Sequence, residues 1–281
     1  MADPFDFERP DRYAVMGNPV AHSKSPFIHQ LFARQFQHRI EYSAIQVDPG
    51  GLPQAIAQFR AAGGKGLNIT LPFKLDAFRL ADHLSDRAKV AGAVNTLKFE
   101  PDDRIFGDNT DGIGLVHDIE LNLATSIKGK QVLLLGAGGA ARGVLGPLIK
   151  HHPARVVIAN RTVARARDVV QLFSGQVPIE ACSFADLRGK HFDLVINGTS
   201  ASVKGEVPSL PATLYTRDSL AYDMMYGERP TPFLEWSALH GAARVSDGLG
   251  MLVEQAAESY FVWRGVRPET KSVIAALKKE S

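Results

Sequence analysis

The run Gln131-Val132-Leu133-Leu134-Leu135 leading into Gly136-Ala137-Gly138-Gly139-Ala140-Ala141 has the residue types and spacing to hold a dinucleotide. An all-apolar stretch marks a strand buried on both faces of a parallel sheet. The small residues after it let backbone N–H groups at a helix start approach a pyrophosphate. Ala141, third in the G-x-G-x-x-G/A pattern, still permits close helix-to-strand packing. The next apolar run, Arg155-Val156-Val157-Ile158-Ala159, ends in Asn160-Arg161-Thr162, where an NAD enzyme places a carboxylate on the ribose 2′-hydroxyl. A guanidinium can instead fork onto a 2′-phosphate, so Asn160 and Arg161 favour NADP over NAD, and Arg165 adds a second positive charge one helical turn on. The plainer alternative is a tight turn with two solvated arginines.

A second group of polar residues has no such self-contained pattern. His22-Ser23-Lys24-Ser25-Pro26 puts two hydroxyls at an expected helix start. Ser25 and Pro26 suit the cap and first helical position, and the same serines suit a carboxylate ligand. In Asn68-Ile69-Thr70-Leu71-Pro72-Phe73-Lys74, strand alternation puts Asn68 and Thr70 on one side, with Lys74 one helical turn beyond. Lys74 as an acid or base near neutrality requires burial or a neighbouring charge, since a free lysine titrates near ~10.4; as a solvated cation it requires neither. Asn95, Asn109 and Asp111 stand at strand or loop ends, where capping and turn formation compete with a site role.

These residues need a scaffold, and composition bounds it. The 281 residues suffice for two domains, with a formal charge of +2 and 45% apolar side chains. No basic cluster interleaves with aromatics, which argues against nucleic-acid partners and leaves a small anionic ligand. The single cysteine, Cys182, excludes an intrachain disulfide and a cysteine metal cluster, and is expected in the core. No histidine, cysteine or aspartate spacing suggests a metal, and His22 is expected to be structural. The acidic N-terminus lacks a secretory pattern and no run is long enough to span a membrane, so a cytoplasmic protein is expected.

Apolar runs alternate with helical patterns throughout, the mark of an α/β protein. Strands are expected near Tyr13–Met16, Tyr42–Val47 and Gly66–Ile69, with helices near 26–37, 52–62 and 75–81. A hairpin or a pair of edge strands is expected about Pro101-Asp102-Asp103, then a linking helix near 113–123. The second series has strands near Val132, Val156, Ile179, Leu194 and Leu220. Helices follow near 231–240, 249–263 and 269–279. The expected architecture is a smaller α/β substrate domain, residues 1–110 with 246–281, and a doubly wound Rossmann-type domain, residues 111–245, with the substrate in a cleft between them.

Taken together these segments, with Gly92-Ala-Val-Asn-Thr96, Asn109-Thr-Asp-Gly112, Tyr222-Asp-Met-Met-Tyr226 and Asp247-Gly-Leu-Gly-Met-Leu252 followed by Gln255, resemble the shikimate dehydrogenase family nearly end to end. The resemblance implies NADP-linked reversible reduction of 3-dehydroshikimate to shikimate, on the way to chorismate and the aromatic amino acids. It implies Ser23 and Ser25 on the substrate carboxylate, with Tyr226 as a further contact. Asn68, Thr70, Lys74, Asn95, Asp111 and Gln255 would surround the ring hydroxyls. On the cofactor side it implies Gly136, Ala137, Gly138, Gly139 and Ala140 at the pyrophosphate, and Asn160, Arg161, Thr162 and Arg165 at the adenine ribose phosphate. Thr199 is also placed on the cofactor side, with Met224 and Gly248 at the nicotinamide end and Asp86 in a role that an acidic surface helix explains equally well. A homodimer is a family-level expectation.

Reducing a ring ketone creates alkoxide character, so a proton must reach that oxygen. Lys74 is the expected acid, oriented by Asp111; the reverse assignment stays open because paired groups titrate together. Gly198 stands where relatives more often have alanine, and is expected only to loosen its loop. A quinate or dual quinate/shikimate dehydrogenase is the nearest alternative, disfavoured by the arginine at the second strand end. A noncatalytic NADP(H) sensor is disfavoured by the retention of Lys74 and Asp111.

Overall fold

The computed structural model describes residues 9–173, 175, 177–199 and 201–280. Most of the acidic N-terminal stretch, and Ser200, lie outside the described residues. The chain forms two compact units. One contains the chain up to Lys89, Ala93–Thr110 and Ala256–Val273; the other contains Val90–Gly92, Asp111–Gln255 and the chain from Ile274.

The first unit is a six-stranded mixed sheet of β1 (Asp11–Gly17), β2 (Ile40–Gln46), β3 (Gly64–Ile69), β4 (His83–Leu84), β5 (Thr96–Phe99) and β6 (Ile105–Asp108), in the order β2-β1-β3-β5-β6-β4. Helices α1 (Ser25–Gln35), α2 (Leu52–Ala61), α3 (Lys74–Leu80) and α4 (Asp86–Ala91) connect the strands. β1 pairs in parallel with β2 and β3, while β5 runs antiparallel to both β3 and β6. The expected hairpin is therefore β5–β6, turned at Asp103, which adopts φ 71°, a left-handed conformation that aspartate tolerates better than most residues. β4 has no counterpart in the sequence reading, because a two-residue strand shows no periodicity.

One face of this sheet is closed by Trp263, whose indole N–H donates to the Leu97 carbonyl at 2.9 Å and whose ring stacks on Tyr13. Glycine at position 66 permits that contact: a β-carbon there would lie 2.5 Å from the indole nitrogen.

The second unit is a fully parallel sheet of β7 (Gln131–Leu135), β8 (Arg155–Ala159), β9 (Ile179–Cys182), β10 (Phe192–Asn197), β11 (Tyr215–Asp223) and β12 (Arg244–Ser246). The order β12-β11-β10-β7-β8-β9 is the doubly wound arrangement, and the direction of winding reverses between β7 and β10. Leu133, Leu134, Val157, Ile158, Val195 and Ile196 are fully buried, as strands covered on both faces require. Cys182 is a buried free thiol, as expected, and burial raises its pKa.

The remaining helices are α5 (Asp111–His117), α6 (Gly139–Lys150), α7 (Val163–Gln171), α8 (Pro232–Leu239), α9 (Leu249–Arg264) and α10 (Lys271–Glu280). The expected linking helix near 113–123 is α5 followed by a π-helical turn, Asp118–Asn122. Within that turn the buried Asp118 accepts from the Tyr222 hydroxyl at 2.7 Å, and Asn122 bridges Asp118 and Glu254. Side-chain demands of this kind override simple helical spacing. Among the described residues no helix is long and apolar enough to cross a membrane.

Candidate active site

In the first unit, α1 begins at Ser25 with Lys24 as its flanking residue. The reading of Ser25 and Pro26 as cap and first helical residue is corrected accordingly. The hydroxyl that meets a helix-start donor is that of Ser23, which accepts from the Ser25 N–H at 3.2 Å. His22 is exposed.

Asn68, near the end of β3, is 6% exposed and held on every side. Its Oδ1 accepts from the Tyr42 hydroxyl at 2.7 Å, and its Nδ2 lies 3.0 Å from Ser259 Oγ and 3.3 Å from both Thr96 Oγ1 and the Asn95 carbonyl. Asn95 Oδ1 in turn accepts from the Thr110 N–H and the Thr96 hydroxyl, both at 2.9 Å. Asn68 and Asn95 are thus joined in one buried network. Sequence reasoning named both asparagines but gave no part to Tyr42, Thr96, Thr110 or Ser259, which reach the network from separate segments.

Thr70 follows β3 and is bonded through its N–H to the Met16 carbonyl at 3.0 Å. A β-carbon on Gly17 would lie 2.4 Å from the Thr70 methyl, so that glycine makes its space. Lys74 is the first residue of α3 and half-buried; its carbonyl accepts from the Val94 N–H at 2.9 Å, tying the helix start to the segment that carries Asn95. Asp86 opens α4 with its side chain in solvent, paired with Lys89 at 3.1 Å.

In the second unit, the glycines after β7 divide into two kinds. Gly136 has φ 102°, and a β-carbon on it would approach the Gly198 carbonyl oxygen to 3.0 Å; the backbone itself demands glycine. Gly138 and Gly139 would meet nothing within 4 Å, so no protein packing requires them. They border open space where α6 begins. That fits a diphosphate held by the unpaired N–H groups of the helix start.

Beyond β8, the Asn160 amide donates to the Thr162 carbonyl at 2.8 Å and fixes the loop, while Thr162 flanks the start of α7. Arg161 and Arg165 are exposed, and among the described residues neither has an ion-pair partner. Two uncommitted guanidiniums with no carboxylate at the strand end fit a 2′-phosphate.

The loops after β10 and β11 are bound together by two residues that sequence reasoning missed. Asn197 Oδ1 accepts from the Thr199 hydroxyl at 2.8 Å, and the buried Asp223 accepts from the hydroxyls of Ser202 and Thr231, both at 2.6 Å, and from the Met225 N–H at 3.0 Å. Their positions at the C-terminal ends of consecutive strands were the available signal. Gly198 does more than loosen its loop: a β-carbon there would stand 3.2 Å from Met224 Sδ. At Gly248 a β-carbon would fall 2.3 Å from the Met224 carbonyl oxygen, so both glycines shape the seat of Met224.

Tyr226 is half-buried, and burial raises its pKa, with Asp247 adding to the rise. Asp111 is the first residue of α5, and Gln255 on α9 donates to the Leu252 carbonyl at 2.8 Å. Gly114 brings the two helices together, since a β-carbon on it would lie 2.7 Å from Gln255.

A doubly wound sheet, a glycine turn open to a diphosphate and a free arginine pair past the second strand define a pyridine-nucleotide oxidoreductase of the NADP type. Residues 15–97 match the shikimate dehydrogenase substrate binding domain, 119–204 the shikimate / quinate 5-dehydrogenase domain, and 248–278 the shikimate 5'-dehydrogenase C-terminal domain. The chain belongs to the shikimate dehydrogenase family.

Among its relatives, the shikimate dehydrogenase (NADP(+)) of Nitrosospira multiformis is 56% identical over 268 residues, covering 95% of this chain and 97% of that one. The enzyme of the same name from Aromatoleum aromaticum is 54% identical, covering 96% and 98%. Of solved structures, a Thermus thermophilus shikimate 5-dehydrogenase in complex with NADP(H) and shikimate superposes with a TM-score of 0.84 at 31% identity, covering 96% of this chain and all of the other. An Ael1 enzyme from Pseudomonas putida gives 0.90 at 49% identity, covering 95% and 98%.

Proposed function

We propose that this chain catalyses the reversible, NADPH-dependent reduction of 3-dehydroshikimate to shikimate. The observation that carries the reading is the near full-length identity to NADP-dependent shikimate dehydrogenases, joined to an NADP-type turn and arginine pair in this chain. Gly136 to Ala140 take the pyrophosphate, and Asn160, Arg161, Thr162 and Arg165 the ribose phosphate. Met224 and Gly248 serve the nicotinamide end, and Thr199 and Asp86 have cofactor-side roles. When bound, NADPH supplies the hydride that reduces the ring carbonyl.

The chain's own groups do the rest. Ser23 and Ser25 grip the substrate carboxylate, with Tyr226 as a further contact. Asn68, Thr70, Asn95 and Gln255 orient the ring through its hydroxyls. The Lys74 ammonium gives its proton to the oxygen as the carbonyl is reduced, and in the opposite direction the neutral amine takes the hydroxyl proton. Asp111 holds that amine in place and stabilises its charged form. Residues 1–110 with 246–281 act as the substrate-binding part, and residues 111–245 as the NADP-binding part. The protein works in the cytoplasm as a homodimer, which cell fractionation and light scattering check.

Absorbance at the reduced-nicotinamide band, with shikimate or quinate crossed against NADP or NAD, tests the whole reading. The expected result is strong turnover for shikimate with NADP alone. Comparable turnover of quinate favours the dual-specificity alternative, and no turnover with any pair favours a sensor.

A further inference from the structure

The Asn68 side chain has its orientation fixed from both ends by protein hydrogen bonds. On the oxygen side stands the buried Tyr42, its ring stacked on His29 at 4.3 Å between centroids and 6° between planes. Burial holds the Tyr42 pKa well above its ordinary value, against an opposing hydrogen bond from Ser25, so the phenol keeps its proton and donates. On the nitrogen side stands Ser259 from α9, fully buried, its Oγ also 2.7 Å from Thr96 Oγ1 and 3.2 Å from Thr110 Oγ1.

An amide has two N–H donors and two carbonyl lone pairs. Both Asn68 donors have protein acceptors within 3.3 Å, while Oδ1 receives one donor, from Tyr42. The capacity left over is a single acceptor lone pair.

We propose that Tyr42 and Ser259 are positioning residues that lock the Asn68 amide so that it offers substrate an acceptor only, and therefore selects for a hydroxyl donor on the ring. This rests on the substrate role given to Asn68 above. Without the Tyr42 hydroxyl, a half-turn of the amide exchanges oxygen for nitrogen at little steric cost, and the site then presents a mixture of donor and acceptor. Ser259 works from the other end, because a serine hydroxyl can accept from Nδ2 while passing its own proton to a threonine oxygen.

The test uses Tyr42→Phe, which keeps the ring and its stacking on His29 and removes one oxygen, alongside Ser259→Ala, Asn68→Ala and the double variant Tyr42→Phe/Asn68→Ala. Steady-state constants for shikimate and NADP and the melting temperature are measured for each. A net hydrogen bond corresponds to about a threefold to tenfold change in affinity. The expected result is a rise of that size in KM for shikimate in both single variants, with KM for NADP unchanged, and no further rise when Tyr42→Phe is added to Asn68→Ala. Ser237→Ala is the control for mere destabilisation: Ser237 is as deeply buried and bonds to Tyr215 and Phe233, in the other unit, so its loss should lower the melting temperature without moving KM for shikimate.

A raised KM in Asn68→Ala beside an unchanged one in Tyr42→Phe overturns the lock and leaves the substrate role of Asn68 standing. An unchanged KM in Asn68→Ala overturns that role and the lock with it.

Discussion

A β-carbon on Gly136 would press to 3.0 Å from the carbonyl oxygen of Gly198, whereas one on Gly138, two residues later, would meet no atom within 4 Å. The protein's own packing requires the first glycine but not the second, which the proposed function assigns to the bound diphosphate. Gly136→Ala is expected to cost stability, about 1–3 kcal/mol from the left-handed backbone and the close contact together. Gly138→Ala is expected to melt with the native chain, within about 0.5 kcal/mol, yet to raise KM for NADP. Calorimetry and kinetics on the pair decide it; a Gly138→Ala enzyme with native KM for NADP would remove the diphosphate from this turn.

Arg161 provides the clearest separation between the two nicotinamide cofactors. Arg161→Ala removes a guanidinium that has no protein partner among the described residues, so little stability should change. A hydrogen bond to a charged group is worth about 1.5–3 kcal/mol, so KM for NADP should rise about tenfold to a hundredfold while KM for NAD stays near its starting value. Equal effects on both cofactors would sink the 2′-phosphate role.

His29 makes acid stability a property of the first unit's core. It is fully buried, neither ring nitrogen has a hydrogen-bond partner, and burial lowers its pKa from 6.5 to about 3. As pH falls below 6.5 the unfolded chain takes up a proton that the folded chain refuses, so stability is lost as pH falls and is unaffected above neutrality. The slope is about 1.4 kcal/mol per pH unit between those two pKa values. Urea titrations of native protein and His29→Phe at several pH values should show the gap between them widening in favour of the variant from pH 6 downward. A gap that stays constant with pH would show that His29 titrates normally.

Much of this arrangement was legible in the chain because its signals are local. The dinucleotide turn is announced by five apolar residues and the glycines after them, and the basic end of β8 lies in one tripeptide, Asn160-Arg161-Thr162. The hairpin at Asp103 and the strands of the second unit were visible for the same reason. The network around Asn68 was not, because Tyr42, Thr96 and Ser259 reach it from a strand, another strand and a distant helix. Asp223 was overlooked because a buried aspartate looks like any other in a sequence until Ser202 and Thr231 are seen donating to it. Ser25 lies one position inside the expected cap because the capping rule fits Ser23 and Ser25 equally, and only backbone angles separate them.

If Lys74 moves the proton of the reacting oxygen, its loss must show in the turnover of Lys74→Ala with shikimate and NADP. A positioned acid or base supplies ~10²–10⁴-fold. A fall in kcat of that order is expected, with shikimate affinity, measured separately by calorimetry, kept within about tenfold. A kcat close to that of the native enzyme would contradict it.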